Sequence, residues 1–148
     1  MVTDLNPRDL RQIFEMRVEL EAFAARLACE RALDVQIAKL EALFDDIEDI
    51  TERGDHHQLI VIDQQAHSLI AQAAHNTFLA DTLQRHYTHV LRLWYVSLHK
   101  VTRLHEAIQE HCDIIQAMKT GDAERAAQVM RKHIISFQTE FEISSDLT

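Results

Sequence analysis

Turn residues are almost missing from this chain: it has two Gly and one Pro in 148 residues. A sandwich, barrel or hairpin meander needs a turn signal roughly every 8–12 residues, so an all-β design lacks its material here. Apolar residues make up 47% of the composition, enough for a core. The length suits one domain rather than two. The expectation is a single all-α domain over residues 1–148.

Helix boundaries follow from caps and from apolar spacing at three and four residues. Asn6-Pro7 starts the first helix, with Asp9 at its positive end. Leu10, Ile13, Phe14, Leu20, Ala24, Leu27 and Ala28 form its stripe, which stops at Leu33-Asp34. Asp34 is expected to cap one continuous second helix carrying Ile37, Leu40, Leu43, Phe44, Ile47 and Ile50 up to Gly54. Asp55 caps a third helix to about His75, and Asn76 a fourth, with an irregularity near Val96 to Thr102. A fifth helix runs to Lys119. Thr120-Gly121-Asp122 is the clearest turn, Gly closing one helix and Asp capping the last. Ala126, Val129, Met130, Ile134, Phe137 and Phe141 are the last helix's buried stripe. The sum is an antiparallel bundle of about six to seven helices.

Several classes are disfavoured by composition. The longest apolar runs, such as Ala22 to Ala25 and Leu59 to Ile62, are four residues long, far short of the roughly 20 that a membrane span requires. Asp4 and Asp9 sit where a secretory signal would be apolar. With Cys29 and Cys112 the only cysteines, a reduced, cytoplasmic protein is expected. The formal net charge of −9 and the absence of a Lys/Arg run disfavour direct binding to nucleic acid. The thiols are expected to be core or half-buried. His111 is Cys112's sequence neighbour and points about 100° away on a helix, so it is a poor base for it.

Ten histidines are many for this length. Asp63 and His67, at i and i+4, stack on one helix face that Ile62, Ala66 and Ile70 turn inward. His111 precedes Gly121 and His133 follows it at similar distances, roughly 15 and 18 Å along their helices, so the two stand at about the same level of a hairpin. These four residues form a metal site if the faces meet, and independently satisfied histidines if they do not. His56, His57, His75, His86, His89, His99 and His105 are expected at surfaces or helix ends. Two enzyme templates fail: Gln109 stands where a zincin helix needs a second His after His105-Glu106, and no Glu stands three residues before any His.

Two stretches resemble the FCD domain, the C-terminal effector domain of bacterial GntR-type transcription regulators of the FadR subfamily. The opening helix is similar through Glu15-Met16-Arg17-Val18-Glu19-Leu20-Glu21 and Ala24-Ala25-Arg26-Leu27-Ala28. The closing hairpin is similar through Glu110-His111, Ile114, Ala117, Gly121-Asp122-Ala123, Ala126, Met130 and His133. Asp63, His67 and Asn76-Thr77-Phe78-Leu79 lie between them in the family's order, and the resemblance covers about residues 8–140. It implies a divalent transition metal held by Asp63, His67, His111 and His133, with zinc first and nickel or manganese as alternatives. It further implies a homodimer that senses a small carboxylate effector, with Arg17 clamping the acid and Asn76 within reach of ligand. Helix capping by Asn76 and an i, i+4 pair of Arg17 with Glu21 are the plainer roles. Ala66 departs from the family's usual Phe and is expected to enlarge or reshape the pocket. The family's winged helix-turn-helix reader has no counterpart within residues 1–148, so the chain is expected to be either a fragment or a stand-alone sensor, with DNA contact only through such a further domain. The alternative reading is a metal-dependent hydrolase or lyase on the same four residues, with Glu106 or Glu110 as its base.

Overall fold

The computed structural model describes residues 6–97 and 103–146, with side chains for 6, 8–92 and 103–140. Its element order is α1 (Pro7–Arg31), α2 (Asp34–Ala42), α3 (Ile47–Glu52), α4 (His56–Ala73), α5 (Thr77–Ser97), α6 (Leu104–Thr120) and α7 (Ala123–Asp146). The fold is all-α, with no strand among the described residues. No described helix is long and apolar enough to cross a membrane.

The predicted caps are made by side-chain oxygens. Asn6 accepts from the Asp9 N–H at 2.8 Å, Asp55 from Gln58 at 3.1 Å, Asn76 from Leu79 at 3.1 Å and Asp122 from Arg125 at 3.0 Å. Each satisfies an amide that the first helical turn leaves without a partner. Asp34 is the exception: it is the first residue of α2, and Leu33 holds the cap position, its N–H donating to the Gln36 side chain at 2.9 Å.

The continuous helix expected from Asp34 to Gly54 is broken in two. After Ala42 the chain tightens: the N–H groups of Leu43, Phe44 and Asp45 donate three residues back, to Leu40, Glu41 and Ala42. Asp45 and Asp46, poor helix formers, stand at this point with the like charges of Glu48 and Asp49 following, which weakens a straight continuation. The break lets Ile50 enter the core and brings Phe44 to the interior side, so periodicity was right about burial and wrong about continuity. The irregularity expected between α5 and α6 falls mostly on 98–102, outside the described residues.

α1 is the spine. It lies along α7 and also meets α4, α5 and α6, while α2 and α3 pack on α4. Ala24, Ala25 and Ala28 are fully buried on α1, as are Ala66 on α4 and Ala126 on α7, and these small side chains let backbones approach. One large apolar cluster includes Phe14, Ile60, Ile70, Ile114, Met130 and Ile134, and a smaller one joins Leu27, Leu79 and Leu83. Phe78, part of the central motif, points outward and is 87% exposed. α6 and α7 are linked by Gly121 and Asp122, and such a short link makes them antiparallel. Gly121 has φ 74°, and its N–H and that of Asp122 close back onto the Met118 and Ala117 carbonyls.

Two substitutions test this account by urea denaturation. Ile114→Ala removes a fully buried side chain from the main cluster and is expected to cost about 2–5 kcal/mol. Gly121→Ala meets no atom within 4 Å, so its expected cost, about 1–2 kcal/mol, comes from the left-handed backbone alone.

Candidate metal centre

Three helices deliver the four residues singled out by spacing. α4 supplies Asp63 and His67, α6 supplies His111 and α7 supplies His133. All four are buried, and one ligand atom from each lies within 4.8 Å of every other. Asp63 Oδ1 stands 3.5 Å from His67 Nε2, 3.4 Å from His111 Nε2 and 3.7 Å from His133 Nε2. His67 Nε2 is 3.2 Å from His133 Nε2 and 3.3 Å from His111 Nε2. A tetrahedral ion about 2.0–2.1 Å from each donor sets neighbouring donors about 3.3–3.4 Å apart, which matches these separations.

The outer atoms are arranged to aim the inner ones. His67 Nδ1 donates to Glu21 Oε2 at 3.2 Å, and His133 Nδ1 donates to Glu110 Oε1 at 3.2 Å. With the protons held on Nδ1, the Nε2 lone pairs of His67 and His133 face each other, an arrangement that a shared cation stabilises. The Tyr87 hydroxyl donates to Asp63 Oδ2 at 2.7 Å, leaving Oδ1 buried with no hydrogen bond. A buried carboxylate oxygen without a donor is costly unless a cation answers it, so the residues present fit a metal ion. Phe44 and Phe137 pack against His111 and His133 and close the cluster on the apolar side.

Without metal, the charges divide unevenly. Burial opposes a charge on His67, yet Glu21 and Asp63 outweigh it and push its pKa up to about 9. Burial pushes His133 down to about 3, helped by the neighbouring charge on His67. Burial likewise holds His111 well below the usual histidine range, with His133 adding to it. Burial works against ionised Asp63 and Glu21 too, but the His67 charge overcomes it and keeps both below the ordinary carboxylate range. Of the three rings, His67 is therefore the one whose charged form the surroundings favour.

The chain matches the FCD domain over residues 12–136. It belongs to the FCD family. The B. subtilis (strain 168) regulator YdhC, described as an uncharacterized HTH-type transcriptional regulator, is 25% identical over 138 residues, which is 89% of this chain and 59% of YdhC. The chain thus spans less than two thirds of that relative. Among solved structures, E. coli McbR/YncC superposes with a TM-score of 0.86 at 20% identity, covering 97% of this chain and 73% of that one. A Streptococcus agalactiae GntR gives 0.75 at 27% identity, covering 89% and 58%. YdhC is described as an HTH-type transcriptional regulator and the S. agalactiae structure as a GntR, in line with the resemblance, and the helical fold is the FCD fold.

The remaining expected residues fall in different places. Arg17 of this FCD domain is buried beside the cluster, its Nε 3.6 Å from Glu21 Oε1 and its guanidinium 5.2 Å from the Tyr87 ring centroid. Arg17 Nε has no hydrogen-bond partner. Asn76 caps α5 and is not among the residues lining the cavity beside the cluster. Ala66 is fully buried and is not among the residues lining that cavity either. Glu110 holds the outer nitrogen of His133, and Glu106 is exposed, so neither carboxylate stands on the Nε2 side where a general base would work. His56, His57, His75 and His105 are exposed, and His86 and His89 half-buried; the side chain of His99 lies outside the described residues. Cys29 and Cys112 are half-buried thiols, and burial raises both pKa values, that of Cys29 to about 11.

Glu21 and Tyr87 were not foreseen as partners of the ligands. Their signal was faint but present: Arg17 and Glu21 interrupt the apolar stripe of α1 between Phe14, Val18, Ala25 and Ala28. Two charges at i, i+4 inside a core-facing stripe imply a buried polar partner on another helix.

The pKa shifts set the pH dependence of metal-free protein. His67, raised from 6.5 to about 9, stabilises fully below pH 6.5 and loses that contribution as pH climbs through 9. His133, depressed from 6.5 to about 3, stabilises above pH 6.5 and loses its contribution as pH falls towards 3. Urea midpoints of protein dialysed free of metal are thus expected to peak near pH 6.5 and to drop on both sides. A His67→Gln variant should lose the alkaline limb of that curve.

Proposed function

We propose that this FCD domain is a metal-dependent sensor of small carboxylates and the dimerisation module of a GntR-type transcription regulator. The observation that carries the proposal is the buried Asp63 Oδ1, without a hydrogen-bond donor, facing three imidazole Nε2 atoms at 3.4–3.7 Å. Three imidazoles and one carboxylate suit zinc first, nickel next, and manganese less because it prefers oxygen donors. When bound, such an ion supplies a Lewis-acidic centre able to accept a carboxylate oxygen of the effector. Glu21, Glu110 and Tyr87 keep the ligand side chains in register for it. Arg17, whose buried Nε has no hydrogen-bond partner, would take the effector's acid group by a charge-assisted hydrogen bond.

Effector binding is read out through differential affinity for two arrangements of the subunits in a homodimer. The relatives' description as HTH-type regulators supports a DNA-binding region elsewhere in the full protein, working in the cytoplasm. The acidic FCD domain itself, with net charge −9, then keeps clear of the DNA phosphates.

Elemental analysis of tag-free protein purified without chelator is expected to give about one transition-metal ion per chain, and His111→Ala to lose it. Glu110→Gln should keep the fold and weaken metal affinity about 10–100-fold, because His133 then loses the carboxylate that orients it. Metal-free wild type that takes up neither zinc nor nickel would refute the metal reading. Organic acids that stabilise zinc-loaded wild type but not Arg17→Ala, followed by thermal melting, test the carboxylate reading; a monomer by light scattering at micromolar concentration would remove the dimer.

A further inference from the structure

The metal cluster does not explain the cavity beside it. Between α4 and α5 lies a half-open hollow of about 450 Å³, within the range of small-molecule sites. Glu21, His67 and Tyr87 form its buried floor, and all three already have partners in the cluster. Val61 and Leu83 give it an apolar wall, and the short side chains of Ala71 and Ala80 leave the space. Gln64, Gln65, Gln72 and Gln84 supply neutral amides around it, with Gln72 Nε2 donating to Ser68 Oγ at 3.3 Å.

Charge decides what such a cavity accepts. Among the described residues no Lys or Arg lines it, whereas Glu21 and Asp81 both do. Glu21 is engaged by His67 and has Arg17 behind it. Asp81 is exposed and forms no ion pair among the described residues. The charge favoured on His67 is already paired with Glu21, so an anion entering here would meet the unpaired carboxylate of Asp81, in a chain that already carries a net charge of −9. An ammonium group finds a free carboxylate at Asp81 and amide oxygens around it, while a short carbon chain covers Val61 and Leu83.

We propose that the cavity between α4 and α5 binds a small organic cation bearing a primary ammonium group, held by Asp81 and the surrounding glutamine amides. The proposal deepens the sensing reading by naming the chemistry of a group recognised beside the cluster, and rests on that reading only in treating the occupant as an effector; binding itself requires no metal. With the carboxylate proposal it describes an effector with both an acidic and a basic pole, or two separate ligands.

The test uses three probes of one size, n-butylammonium, butanoate and 1-butanol, titrated into metal-free and zinc-treated protein while the glutamine side-chain amide resonances are followed by NMR. In metal-free protein butylammonium is expected to bind at least tenfold more tightly than the other two and to shift the Gln64, Gln72 and Gln84 amides. Asp81→Asn, an exposed substitution, should weaken it about tenfold, and Asp45→Asn, an exposed acid elsewhere, should leave it unchanged. Equal or tighter binding of butanoate or butanol to metal-free protein, no loss in Asp81→Asn, or the same loss in Asp45→Asn would overturn the proposal. Butylammonium binding without zinc uptake removes the metal reading and keeps this one; zinc uptake without butylammonium binding does the reverse.

Discussion

A carboxylate and three imidazoles buried at the meeting of α4, α6 and α7 make the demand that the surrounding structure answers. Removing an ionised group from water costs several kcal/mol even after relaxation, so a buried Asp63 needs close opposite charge and donors for its remaining oxygen. The Tyr87 hydroxyl takes one oxygen, and the rings of His67, His111 and His133 surround the other. Those rings in turn need their outer nitrogens satisfied, which brings Glu21 and Glu110 into the core, and Glu21 brings Arg17. Each polar residue is thus buried because its neighbour is, and the network is as strong as its least satisfied member.

The scaffold makes this possible through two local devices. Gly121, in the left-handed conformation, closes α6 within one residue and fixes the level at which α6 and α7 face each other, so His111 and His133 meet across the hairpin. The alanines of α1 let that helix lie close to its neighbours, so the short reach of a glutamate is enough to hold His67 on α4. A bulkier stripe would hold α1 away and leave the imidazole without its partner.

The cluster and the cavity share Glu21, His67 and Tyr87, which gives a physical route between a ligand in the hollow and the residues proposed to hold a metal. A compound that displaces Glu21 from His67 Nδ1 changes the orientation and basicity of that ligand, and reciprocity requires metal occupancy to change the compound's affinity by the same factor.

Sequence by itself determined most of the fold and the identity of the inner residues. Scarce glycine and proline excluded β architectures, Asn and Asp caps set helix starts, and Gly121 placed the closing turn, because these are local conformational effects that depend on a few adjacent residues. The i, i+4 spacing of Asp63 and His67 and the near symmetry of His111 and His133 about the turn nominated the cluster, since helical periodicity alone decides which residues share a face. What only the tertiary structure decided was the break of the second predicted helix, the partnership of Glu21 and Tyr87 with ligands 46 and 24 residues away, and the cavity above them. Those depend on how far apart three helices settle, a distance set by the packing of every side chain between them and therefore written in no single stretch of the chain.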